Sequence, residues 1–370
     1  MSDVRHARDY DIAVIGAGMA GASLAAELAP HARVLLVEAE EQPGYHATGR
    51  SAAFWEECYG GPDVVPLTLA SGPYLREHGM LSARGALYIG RAEDEPAIEA
   101  FMRRFADSGV SIERLGRQAL ERRIPGVRSA WQHAVSEPAC ADIDVAGLHH
   151  HYLARARDGG VDLRCRARLE AAEREGDGWR LSFGRAGEAR ARQLVDAAGA
   201  WADPLARLAG ARPLGIQPLR RTVAQLRTAT APSGDLPLVL DISGAFYFKP
   251  EHGKLWLSPH DETPCPACDA APEELDVALA IDRFEQVVDW RIEAVEHKWA
   301  GLRSFAPDRL PVYGFDGHVA GFFWFAGQGG FGIQTAPAAA RLGAQLLLGL
   351  PRDRVSETLD AALYSPARFG

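Results

Sequence analysis

The stretch that most constrains this chain is Asp11-Ile12-Ala13-Val14-Ile15, which runs through Gly16-Ala17-Gly18-Met19-Ala20-Gly21 into Ala22-Ser23-Leu24-Ala25-Ala26-Glu27-Leu28. An apolar run short enough for a buried parallel strand meets a G-x-G-x-x-G turn. An Ala/Leu-rich segment with no further Gly or Pro before Pro30 follows, as in the strand, turn and helix of a dinucleotide site. Gly16 permits the tight turn, Gly18 lets a pyrophosphate approach the backbone, and Gly21 lets the helix pack on the strand. The helix N-terminus would offer unpaired N–H groups and a partial positive charge to the phosphates.

A second apolar run, Arg33-Val34-Leu35-Leu36-Val37, ends in Glu38, at the distance from the turn that the fingerprint requires. A carboxylate there accepts hydrogen bonds from ribose hydroxyls and repels a 2′-phosphate. Strand, turn, helix, second strand and acid occur in register, which a chance glycine-rich turn does not supply. This alone leaves FAD and NAD both open.

At 370 residues the chain exceeds what one hydrophobic core usually serves, so two domains are expected. A formal net charge of -9 without a basic cluster argues against nucleic acid as a partner. The first ten residues lack an apolar stretch, no segment reads as a membrane span, and the default expectation is a cytoplasmic protein. The five cysteines are an odd number and mostly far apart, as suits reduced thiols. Cys265-Pro266-Ala267-Cys268 lacks a second ligand pair and reads as a Pro-rich surface loop rather than a zinc or redox centre. His149-His150-His151 occupies successive positions of a helix spanning residues 145–158 with Asp144 as N-cap. These positions point around the cylinder instead of converging on a metal, so no metal is expected.

The loop Gln42-Pro43-Gly44-Tyr45-His46-Ala47-Thr48-Gly49-Arg50-Ser51-Ala52-Ala53 carries turn formers and small residues suited to lie against a planar ligand, and it should enter a new helical stretch. Phe54-Trp55-Glu56-Glu57-Cys58-Tyr59-Gly60-Gly61 reads either as a mobile lid over a pocket or as aromatics plugging a core. A buried strand, Gln193-Leu194-Val195-Asp196-Ala197-Ala198-Gly199, returns to the Rossmann-like pattern, so the nucleotide domain is discontinuous. Between Pro213 and Lys298 the segments Gln217–Val223, Phe246–Pro250 and Lys254–Ser258 read as antiparallel strands. With an amphipathic helix over Leu275–Trp290 they predict a second domain. The strand Gly321–Ala326, followed by Gln328-Gly329-Gly330-Phe331-Gly332-Ile333-Gln334-Thr335 and a helix, leaves too little chain for another nucleotide domain. That helix N-terminus should face a ring oxygen that becomes negative on reduction, which is a flavin's need.

Together these stretches, with Ala141-Asp142-Ile143-Asp144, Arg220-Arg221 and Trp299-Ala300-Gly301-Leu302-Arg303-Ser304-Phe305, resemble the FAD-dependent D-amino acid oxidase and glycine oxidase superfamily. The resemblance is closest to soluble bacterial D-arginine or D-amino acid dehydrogenases, and it spans nearly the whole chain in order. It implies an α/β fold with a discontinuous Rossmann-like FAD domain (1–78, 138–212 and 299–370). A second α+β substrate domain on an antiparallel sheet would take up 79–137 and 213–298.

In that fold Arg303 would grip the substrate carboxylate with the Tyr247 hydroxyl, and Arg221 would lie at the flavin–substrate boundary. Tyr59 would be the lid aromatic, and the Gly330 carbonyl would receive the substrate ammonium. Arg50, Ser51, Ala52, Gly199 and Gly329 would line the cofactor, and Gly332, Ile333, Gln334 and Thr335 would contact its pyrimidine edge and ribityl chain. The implied reaction is hydride transfer from Cα to the flavin N5 of non-covalent FAD, giving an imino acid and then a 2-oxo acid and ammonia.

Arginine-preferring relatives carry an acid where this chain has Ala86, so neutral or apolar D-amino acids are expected instead of arginine, unless Glu56 replaces the lost acid. Oxidation of a 2-hydroxy acid or a secondary amine is the alternative on the same scaffold. The electron acceptor, whether oxygen, a quinone or a carrier, stays open.

Overall fold

The computed structural model describes residues 9–52, 54–230 and 232–370. Residues 1–8 of the N-terminal stretch read above as lacking an apolar run, and Ala53 of the loop, lie outside them.

The strand Asp9–Ile15 is flanked in parallel by Val34–Val37 on one side and Glu188–Asp196 on the other. Val34–Val37 is extended in parallel by Asp162–Arg164, and Glu188–Asp196 by Phe322–Ala326. Alternation along these strands explains why they are apolar throughout. Ile12, Val14, Val34 and Leu36 enter a core with the helices Met19–Leu28, Val145–Asp158 and Ala336–Leu348. Ala13, Ile15, Leu35 and Val37 enter a second core on the opposite face. The expected return of the chain at Gln193 is therefore the third central strand of one sheet. The helix over 145–158 forms as read, with the Asp144 carboxylate accepting from the Gly147 amide at 2.8 Å.

The second sheet is built on Gln217–Thr228 and Ile292–Phe305, antiparallel over their whole length. Lys254–Ser258, Tyr247–Glu251, Leu238–Asp241 and Ala86–Arg91 continue it outward. One face packs on the helix Glu274–Glu285, with Phe246, Phe248 and Phe284 in its core. That helix stops short of the expected Trp290 because Val287 and Val288 turn into the same core. The other face carries Tyr88, Val223 and Tyr247 toward the first domain. The expected helical stretch after residue 53 is corrected. Phe54–Trp55 is a short strand beside Ala141–Ile143, and helix begins only at Val65.

Candidate functional site

Two cavities meet between the sheets. The first, about 340 Å³, follows the glycine turn from Gly16, Gly18 and Met19 past Glu38 and Thr48 to Gly199, then reaches Gly329, Gly330 and Gly332. Gly16 has φ +104°, and a Cβ there would overlap the Ala197 carbonyl oxygen, so the turn admits glycine alone. A Cβ at Gly21 would overlap the Gly16 carbonyl, which is the close helix–strand packing expected of the third glycine. The Glu38 carboxylate is set at the cavity wall by the amides of Ala17 at 3.1 Å and Glu40 at 3.0 Å. Thr48 accepts from the Met19 amide at 2.9 Å and braces the first turn of the helix. A glycine cradle, a helix N-terminus and a carboxylate along one elongated cavity match the donor and acceptor set of an adenine dinucleotide.

The second cavity, about 360 Å³, shares Ser51, Ala52, Arg221, Arg303, Gly330 and Ile333 with the first. Strand register explains the pair of arginines. Arg221 lies opposite Gly301 and Arg303 opposite Leu219, so both side chains leave the same face at diagonal positions, with Gly301 leaving room between them. Tyr247 reaches that face because its neighbours Phe246 and Phe248 point into the other core.

Burial, then the nearby Arg303 charge, lowers the Arg221 pKa to about 10. Burial also works against the Arg303 charge, but Tyr59, Tyr247, Glu262 and Asp261 outweigh it and hold that guanidinium above its usual range. Arg303 donates to the Tyr59 hydroxyl at 2.9 Å. Arg221 donates to the Asp261 carbonyl at 2.7 Å and to Glu262 at 3.2 Å. Among the described residues the buried Arg221 Nη1 and the buried Tyr247 hydroxyl have no hydrogen-bond partner, so the second cavity is lined by two desolvated donors.

Phe54, Tyr88, Phe101, Leu240 and Ile242 line this cavity with three acids, Glu56, Asp241 and Glu262; Asp241 accepts from Ser243 and the Ala245 amide, and Glu262 pairs with Arg221 and Arg309. Glu56 is 3% exposed and accepts from the Tyr88 hydroxyl. Burial, then the adjacent Glu137, pushes its pKa up to about 8, so the carboxyl is mostly protonated at neutral pH. Glu137 accepts from the amides of Glu57 at 2.6 Å and Cys58 at 3.4 Å. Glu57 does not line this cavity.

The aromatic segment is a fixed wall rather than a lid. Phe54 through Cys58 is buried, and Gln334 pins it by accepting from the Glu56 amide at 3.2 Å and donating to the Glu56 carbonyl at 2.9 Å. Of the segment's described residues only Tyr59 and Gly60 are not buried.

Most residues singled out from the sequence come together here, and four differ in place or in partner. Gln334 faces the second cavity, not the first. Thr335 lines neither, and its hydroxyl donates to the Phe331 carbonyl at 2.9 Å. Arg50 borders the first cavity but spends its guanidinium on Asp269 and the Ala270 carbonyl. Ala86 is buried in the sheet and touches no cavity, and Tyr88, two residues on, takes the lining position.

Tyr88, Glu137 and His260 were not foreseen. Burial, then the charges of Arg221 and Arg303, lowers the His260 pKa to about 3, so its ring is neutral beside Tyr247. His149 braces the turn through the Ala17 carbonyl at 2.9 Å.

A family model described as "DAO: FAD dependent oxidoreductase" matches residues 11–346. The hydrogen cyanide synthase subunit HcnC of Pseudomonas aeruginosa is 25% identical, over 98% of this chain and 97% of its own. A glycine oxidase of the same organism is 30% identical, over 66% of this chain and 65% of its own. Among solved structures, glycine oxidase from Geobacillus kaustophilus superposes with a TM-score of 0.83 at 23% identity, covering 97% of this chain and 99% of that one. The last of these is a likeness of fold.

Proposed function

Because the chain belongs to the DAO family of FAD-dependent oxidoreductases, we propose that it deaminates neutral D-amino acids oxidatively, giving an imino acid that water converts to a 2-oxo acid and ammonia. The observation that carries this reading is the shared boundary of the two cavities at Arg221 and Arg303, with the Arg221 Nη1 there and the Tyr247 hydroxyl in the second cavity both without a partner among the described residues. The glycine oxidase relative supports an amino acid substrate. FAD would be held by the glycine turn, Glu38, Gly329, Gly330, Gly332 and Ile333, and when bound would supply a two-electron acceptor.

The protein's part is positioning. Arg303, already braced by Tyr59, takes the substrate carboxylate in a two-pronged grip, and Arg221 Nη1 with the Tyr247 hydroxyl completes the anion's shell. Gly330 lies at the boundary with its carbonyl available to the amino group. The side chain then projects against Phe54, Tyr88, Phe101, Leu240 and Ile242, an apolar wall that rewards apolar substrates. A protonated Glu56 offers no counter-charge to a guanidinium at neutral pH, and the other two acids of the cavity are already engaged, Glu262 by Arg221 and Arg309 and Asp241 by Ser243 and the Ala245 amide, which disfavours arginine.

The test is anaerobic absorbance of the flavin while neutral D-amino acids, their L-enantiomers, glycine, secondary amines and 2-hydroxy acids are added singly. Bleaching by neutral D-amino acids with release of ammonia is expected. Bleaching confined to L-enantiomers, secondary amines or 2-hydroxy acids, or no bleaching at all, overturns the proposal.

A further inference from the structure

The segment 263–270 forms a strap along the edge of the first cavity and is anchored at both ends. At one end Thr263 and Pro264 pair with Arg220 and Leu219, and the Cys265 amide donates to the Pro218 carbonyl at 3.0 Å. At the other end Asp269 takes the Arg50 guanidinium and the Tyr45 hydroxyl, and the Ala270 carbonyl accepts from Arg50 at 2.9 Å. Cys268 and Ala270 line the cavity, as do Arg50 and Tyr45, so the strap and its clasp border the space assigned to the dinucleotide.

Between the anchors, Cys265 Sγ and Cys268 Sγ lie 3.5 Å apart, and both residues are half-buried. The sulfurs need to close by about 1.5 Å to reach bonding distance, a displacement that side-chain rotation can supply. The surface-loop reading of this C-x-x-C did not foresee that Cys268 lines the first cavity.

We propose that Cys265 and Cys268 form a thiol–disulfide pair, oxidised by a small-molecule disulfide, whose closure locks the strap against the FAD cavity. One thiolate attacks the small disulfide, forming a mixed disulfide and expelling one small thiolate. The second cysteine then attacks the protein sulfur of that bond and expels the other. The two cysteine protons end on the two small thiols, the protein loses two hydrogens, and the small disulfide is reduced to two thiols. Release of a dinucleotide past this edge requires the Arg50–Asp269 clasp to open and the strap to swing. A covalent bond from Cys268 back to Cys265, which is tied to the second sheet, removes the backbone freedom for that swing. The inference rests on FAD as the cofactor and is independent of which substrate is oxidised.

The experiment uses the FAD-loaded protein equilibrated in glutathione buffers of graded ratio of oxidised to reduced form. Intact mass, peptide mapping and the rate of FAD release, read from recovered flavin fluorescence after dilution, are followed together. The expected result is loss of two hydrogens, a mapped Cys265–Cys268 bond, and FAD release severalfold slower than from the dithiol form. C265S, which keeps Cys268 at the cavity, should stop at a glutathione adduct and release FAD at the reduced rate. A stable glutathione adduct on the unmutated chain, or equal release rates in its two redox states, overturns the proposal.

Discussion

On the proposed function, Glu56 makes the site's preference for substrate charge depend on pH, and the dependence has a calculable size. Glu56 lines the second cavity, with Tyr88 donating to its carboxyl and the charges of Glu137 and Arg303 acting on it. With its pKa at about 8, about one Glu56 in ten is ionised at about pH 7 and about nine in ten at about pH 9, so the population able to pair with a cation rises about tenfold. The sign follows from the direction of the shift. Burial holds the proton on, and raising the pH removes it and creates the counter-charge.

The assay compares kcat/KM for D-arginine with that for its neutral isostere D-citrulline across this range. Both substrates must lose the same α-ammonium proton, so that requirement cancels in the ratio. The ratio should climb about tenfold in the unmodified enzyme and stay flat in Glu56→Gln, whose side chain cannot ionise. A flat ratio in the unmodified enzyme, or a slope that survives in Glu56→Gln, refutes the assignment of Glu56 to the substrate side-chain pocket.

Two further outcomes test the carboxylate grip. Arg303→Lys keeps the charge but loses the planar fork, and kcat/KM should fall by about 100-fold, while Tyr247→Phe, which removes one unpartnered donor, should cost about tenfold. Gly330→Ala should raise KM and loosen the Tyr59–Arg303 bond, because a Cβ at Gly330 would overlap the Tyr59 hydroxyl and come within 3.1 Å of Arg303 Cδ. An unchanged KM in that variant would show that the approach of Gly330 to Tyr59 is not needed for binding.

The nucleotide half of the molecule was legible because its determinants are local. Gly16, Gly18, Gly21 and Glu38 act through one turn and the strand beside it, and the apolar strands declare their burial on both faces. Arg221 and Arg303 were singled out through the resemblance. What joins them physically is a strand register between segments 80 residues apart, which no local pattern displays. Tyr88, Glu137 and His260 escaped notice for the same reason. An acid in a strand and a histidine after one look like solvent-facing residues until the sheets close over them. The aromatic run at 54–59 left lid and core open, and the choice was decided by Glu137 and Gln334, both distant in sequence.

With the second cavity taking the substrate side chain as proposed, the pinning of that run by Gln334 bears on how substrates are sorted. The same amide group of Gln334 also donates to Thr68 Oγ1 at 2.9 Å, so the wall is bolted to the helix Val65–Glu77 as well as to the loop beside the flavin space. A surface held from two sides acts as a mould and not as a gate. Discrimination then comes from the shape presented at first contact, with no closing motion to reward a good fit. A change of substrate in this scaffold needs only new side chains at positions such as 54, 56 and 88, with the hinges of the molecule left untouched.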